Sequence, residues 1–132
     1  MNNLNSIILE GNLVRDPEAK TTSNGHFVTC FSIASNRYFK EDDALVSEAS
    51  YFDVECWGKL AQVCGEVLAK GRGVRVVGRL KQDRWYDADN KAHSRIKIVA
   101  EHVEFKPVFK KEVEAIVEEE TSDEESLAPT LA

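Results

Sequence analysis

Four aromatic residues of this 132-residue chain sit among charged neighbours: Phe39 just after Arg37, Tyr51 and Trp57 on the polar side of an alternating run, and Trp85 within Lys81-Gln82-Asp83-Arg84-Trp85-Tyr86. A ring with a free face stacks on any flat π-system, and Lys or Arg beside it collects phosphates with release of their counterions. That combination suits an unpaired nucleic-acid strand, because every base has a π-face, and stacking contributes about 1–3 kcal/mol per base. Exposed rings also bury at subunit contacts, and that reading stays open beside the first. Phe27, Phe31 and Phe52 are assigned to the core, since they alternate with polar residues and share faces with aliphatic ones.

Other chemistry finds little support. The three histidines, His26, His93 and His102, are scattered, and there is no glycine-rich phosphate loop, no G-x-S-x-G and no H-E-x-x-H. His26 reads as a turn-edge residue after Asn24-Gly25. Glu41, Asp42 and Asp43 lack the spaced oxygen ligands and turn glycine of a calcium loop, and read as a solvated connection. Cys30, Cys56 and Cys64 are odd in number and form no C-x-x-C pair, so they are expected as reduced thiols packed like small hydrophobes. No catalytic residue, metal ligand or cofactor is assigned, and a binding protein is expected in place of an enzyme.

The net charge of −6 conceals a division. From Glu112 to Ala132 there are eight acids and no Lys or Arg, so residues 1–111 hold all 17 basic groups against 15 acids, a net +2. Between Lys70 and Lys97 nine basic residues face only Asp83, Asp87 and Asp89, a local +6. No run approaches the ~20 apolar residues of a membrane helix, and the N-terminus lacks a signal-peptide pattern, so the expected location is the cytoplasm.

The elements that must position these residues are legible from periodicity. Leu4 to Val14 reads as a first strand closed by Asp16-Pro17, and His26 to Asn36 as a second after the Asn24-Gly25 turn. Glu41 to Glu48 is expected to be a mobile connection, and Tyr51 to Trp57 a third strand with Phe52, Val54 and Cys56 inward. Leu60, Val63, Cys64, Val67 and Leu68 predict a helix over 59–70, capped by Gly71. A fourth strand, Val74 to Lys81, has Val74, Val76, Gly78 and Leu80 inward, and a fifth at about 94–105 has Ile96, Ile98 and Ala100 inward. Val77 and Val99 are left facing out. Three strands, a helix and two strands is the order of an all-β, five-stranded Greek-key barrel, the OB-fold, with its helix between strands three and four. The barrel domain is expected over 1–106, and residues 107–132 as an acidic, largely disordered tail.

Asn12-Leu13-Val14-Arg15-Asp16-Pro17-Glu18, Asn24-Gly25, Phe31-Ser32-Ile33-Ala34, Trp57-Gly58-Lys59-Leu60-Ala61, Lys70-Gly71, Gly78-Arg79-Leu80 and Val103-Glu104-Phe105, in this order over residues 4–106, resemble the bacterial single-stranded DNA-binding protein (SSB) family. The resemblance implies an OB-fold homotetramer that coats single-stranded DNA in replication, recombination and repair, without strong sequence preference and near the nucleoid. It places stacking rings on Phe39, Tyr51, Trp57 and Trp85, and basic contacts on Lys20, Lys59, Lys70, Lys81 and Arg84. Asp53 and Asp83 stand where some members carry a base or an amide, and an acid repels phosphate. Replication and repair proteins are implied as partners of the C-terminal tail. Here the tail ends Ala128-Pro129-Thr130-Leu131-Ala132, without the family's closing aromatic, which leaves Leu127 and Leu131 for any apolar contact. The alternative reading is an OB-fold protein-interaction module of a primosome-type assembly.

Overall fold

The computed structural model describes residues 1–107; the segment expected as a disordered tail lies, from residue 108, outside the described residues. Six strands and one helix follow in the order β1 (Ile7–Leu13), β2 (Glu18–Thr21), β3 (Phe27–Glu41), β4 (Ala44–Trp57), α1 (Gly58–Val67), β5 (Gly73–Tyr86) and β6 (Ala92–Phe105). β1 pairs antiparallel with β5, β5 with β6 and β3 with β4, while β4 and β6 run parallel. Asn12↔Ala34 and Leu13↔Ile33 bring β3 back to β1 and close the ring. A closed five-strand barrel in this order, with α1 between the third and fourth of its strands, is the expected OB-fold. At the closure Gly11 is required, since a Cβ there would meet the Ala34 carbonyl oxygen at 2.5 Å.

The core is built from alternate residues of the barrel strands. Phe31, Ile33, Val54, Val74, Val76 and Ile98 point inward, and Ala61, Cys64 and Leu68 of the helical segment fill one end. Cys56 and Cys64 face each other there, Sγ to Sγ 3.9 Å, both as free thiols. The contact with Cys64, together with burial, pushes the Cys56 thiol up and keeps it protonated.

Several expectations are corrected. The helix stops at Val67, which is exposed, because Leu68 turns to extended backbone and buries its own side chain. Gly71, at φ +91°, sits in the following turn and donates its amide to Leu13, so it does not cap the helix. A short strand, β2, pairs with β3, although all four of its residues are exposed and show no alternation. The mobile connection expected over 41–48 is instead the tip of a paired arm. Asp42 and Asp43, at φ 53° and 64°, make a two-residue hairpin, and β3 and β4 stay in register out to Glu41↔Ala44. β5 and β6 form a second arm, out to Tyr86↔Ala92, whose turn is tied by the Asp87 carboxylate accepting the Asp89 and Lys91 amides.

The arms part at the barrel mouth. β4 and β6 pair only through Val54↔Ile98 and Glu55↔Val99, so beyond those rungs no backbone ladder joins them. Phe52 and Ile96, expected in the core, lie past this last rung, and Leu80, also expected there, stands level with it opposite Ile98; all three are exposed, Phe52 by 36%. Phe27, also expected inside, is exposed at the start of β3, and Val99, expected outside, is buried.

Candidate nucleic-acid interface

Unbroken pairing of β3 with β4 fixes which side chains share a face. Tyr51, Asp53, Glu55 and Trp57 stand on the outer face of β4, opposite Ala34, Ser32, Cys30 and Val28 of β3. Tyr51 is 67% exposed and Trp57 45%. Lys20 of β2 is opposite Val28, which is itself opposite Trp57, so this lysine stands two strands from the ring, across β3. On β5, Lys81, Asp83 and Trp85 alternate on the pleat face that carries Lys97 and His93 of β6. Trp85 is 45% exposed; one side of its ring stacks on His93, centroids 5.6 Å apart and planes at 18°. The Asp87 carboxylate meets His93 Nε2 at 2.7 Å and so holds the stack in place.

Between the two arms' rings runs a chain of charges. Trp57 Nε1 donates to Glu55 Oε1 at 2.9 Å, and Lys97 Nζ contacts Glu55 Oε2 and Asp83 Oδ2, each at 2.8 Å. Lys81 Nζ meets Asp83 Oδ1 at 3.1 Å. Lys97 is largely buried, its side chain 12% exposed. Burial works against its charge, but the hydrogen bonds it donates to Asp83 and Glu55 outweigh it and raise the pKa. The same lysine, then Lys81, holds the Asp83 carboxyl below its usual range. Two cations and two carboxylates therefore neutralise one another at the centre of the outer face. Arg75, which sequence counting puts in the +6 segment, is likewise engaged by Glu10 and Glu104.

The structure brings together Tyr51, Trp57, Trp85, Lys20 and Lys81 on this outer face. Phe39 pairs with Val46 and stands on the opposite pleat face of its arm, half-buried, with the Arg37 guanidinium 4.6 Å above its ring. Arg84 is on the pleat face away from Trp85 and donates to Gln82 at 3.0 Å. Lys59 is exposed in the first turn of α1. Lys70 lies in the turn after the helix, where its amide donates to Asp16, and is not beside the rings. Lys97 and Glu55, which organise the face, were not singled out from sequence; Lys97, two residues from Arg95 in a basic strand, reads as one more solvated charge. Among the described residues no cluster suited to a metal ion occurs, and no helix is long and apolar enough to cross a membrane.

A model of the Single-strand binding protein family matches residues 4–106. The single-stranded DNA-binding protein of Treponema pallidum is 38% identical over 104 residues, 79% of this chain and 58% of that protein. The corresponding protein of Borreliella burgdorferi is 40% identical over 87 residues, again 58% of its length, so the chain spans little more than half of these relatives. Single-stranded DNA-binding protein 2 of Chlorobaculum tepidum is 34% identical over 129 residues, 93% of this chain and 87% of that protein. Among solved structures, a Plasmodium falciparum SSB in complex with single-stranded DNA superimposes with a TM-score of 0.74 at 23% identity, covering 81% of this chain and 98% of that one. A deletion mutant of the Thermus aquaticus protein gives 0.70 at 26% identity, covering 79% and 51%. Barrel order and a family match across the whole described barrel agree: the chain belongs to the single-strand binding protein family.

Proposed function

We propose that the chain binds single-stranded DNA with little sequence preference and coats it during replication, recombination and repair. The observation that carries this reading is the placement of Tyr51, Trp57 and Trp85, each about half exposed or more, on one outer face spanning both arms. Bases stack on these rings, and Phe39 offers a further ring on the other face of its arm. Lys20, Lys59, Lys70, Lys81 and Arg84 supply the phosphate contacts, Lys81 by exchanging Asp83 for phosphate. The alternative of a protein-docking module is less well supported, since the relatives carry the single-stranded DNA-binding name.

Several copies of the chain assemble in this reading, as a homotetramer, with exposed apolar residues such as Ile8 on β1 available to the contact. The acidic residues from Glu112 onward act as a tethered competitor for the basic groups, and as the segment that replication and repair proteins contact. The test is tryptophan fluorescence on adding oligo-dT, with duplex of equal length as control. Saturable quenching by the single strand and weak quenching by duplex support the proposal; equal affinity for both contradicts it, since duplex carries the denser charge but offers no free base faces.

A further inference from the structure

Where the two arms part, the barrel mouth opens into a cleft of about 350 Å³ walled by Tyr51, Phe52, Leu80 and Ile96. Its polar groups are Asp53 and Lys97. Lys97 gives its ammonium to Glu55 and Asp83, so it does not neutralise Asp53. Asp53 is held in one orientation: its Oδ1 accepts the Ser32 hydroxyl at 2.6 Å, and Ser32 Oγ in turn accepts from Arg15 Nη2 at 3.3 Å. Among the described residues the other oxygen, Oδ2, has no hydrogen-bond partner. An apolar cleft with a ring at its edge and one oriented carboxylate, exposed and with its second oxygen open to solvent, is a site for a flat, largely apolar ligand that brings one donor.

We infer that Asp53 is a base-selecting residue, which accepts a hydrogen bond from the exocyclic amine of a base lodged in the fork between the arms and disfavours thymine, which has no such amine. The inference rests on the single-stranded DNA reading above. An ionised carboxylate only accepts hydrogen bonds. Cytosine N4, adenine N6 and guanine N2 each carry two protons, whereas an unpaired thymine has no exocyclic amine and offers only an N3–H set between two carbonyl oxygens, O2 and O4, that face the carboxylate as acceptors. The same charge turns phosphates away, so a strand crossing the fork lays a base against Asp53 and keeps its backbone outside. Lys97 is the condition for this: by satisfying Glu55 and Asp83 it leaves Asp53 as the uncompensated acid at the cleft.

The test compares dissociation constants for oligo-dC and oligo-dT of equal length at pH 8, where cytosine is unprotonated, for the wild-type chain and Asp53→Ala. The variant is expected to gain affinity for oligo-dT relative to oligo-dC, moving the ratio of the two constants by about fivefold or more. If the alanine variant melts early, Asp53→Asn keeps both an acceptor and the partner of Ser32 while removing the charge, and it is expected to move the ratio the same way by a smaller factor. Binding of both strands with an unchanged ratio in the variant overturns the inference alone and leaves the acid as a simple repeller of phosphate. Failure of the wild-type chain to bind either strand overturns the DNA reading together with it.

Discussion

Trp57 and Trp85 each leave about half of their surface to solvent, and each is held from behind, Trp57 by Glu55 and Trp85 by His93. Neither ring supports the core, so Trp57→Ala and Trp85→Ala are expected to keep the melting temperature near that of the wild type while weakening single-strand binding by about 1–3 kcal/mol each. A large drop in the melting temperature of either variant would make that ring structural. Phenylalanines separate by position in the same way. Phe31, buried in the barrel, is expected to cost about 3–5 kcal/mol of stability when cut to alanine, and Phe52, past the last β4–β6 rung, clearly less. Periodicity placed both inside because alternation reports which face a residue is on, and not whether the barrel still continues at that point. Carboxylates set the acid limit. Arg75, then Lys106, lowers the pKa of Glu10; Lys97, then Lys81, lowers that of Asp83; His93, then the Lys91 amide, lowers that of Asp87. A carboxyl whose pKa is lower folded than unfolded stabilises the fold above its unfolded value, and that contribution is lost as pH falls through the folded one. Thermal melts are therefore expected to decline once pH drops below about 4, and Lys97→Gln to make the Asp83 part of that decline shallower.

The barrel strands and the helix were legible because polar and apolar residues take opposite faces, as in Val74-Arg75-Val76, where Arg75 is exposed and both valines are buried. The arms were not. From Asn36 to Lys40, and from Gln82 to Tyr86, most side chains are exposed on both faces of the ribbon, so no alternation marks the strand. Asp42-Asp43 gave no turn signal either, since the residues expected at such a hairpin tip are Asn-Gly or Asp-Gly. The tip holds two side chains in the left-handed region, where a β-branched residue fits poorly. Asp43→Val is expected to cost about 1–2 kcal/mol, read as faster amide exchange along the β3–β4 arm with the barrel amides little changed. At the other end of the fold, Gly11→Ala forces a methyl against the Ala34 carbonyl, and a loss of about 1–3 kcal/mol in denaturant unfolding is expected. An arm is thus a local element that carries Tyr51 and Phe39, whereas the β1–β3 closure belongs to the global stability of the barrel.

At the scale of the whole molecule, charge and shape divide the work. The +6 counted between Lys70 and Lys97 is partly spent internally, with Arg75, Lys81 and Lys97 all facing carboxylates, so the centre of the ring-bearing face is close to neutral. Single-strand binding through that face, as proposed, would draw more on stacking than on counterion release, and its affinity is expected to fall less steeply with salt than a count of the basic residues implies. Assembly is a separate question that sedimentation answers: a tetramer is expected at micromolar protein, and a concentration-independent monomer would leave Ile8 without the proposed contact. Uptake of unpaired bases by the outward rings is the centre of the proposed function. It is tested most directly by comparing oligo-dT with an abasic strand of the same length, which keeps every phosphate and removes every π-face. With Tyr51, Trp57 and Trp85 all stacking, the abasic strand is expected to bind at least about a hundredfold more weakly at the same salt; equal affinity for the two strands would contradict it.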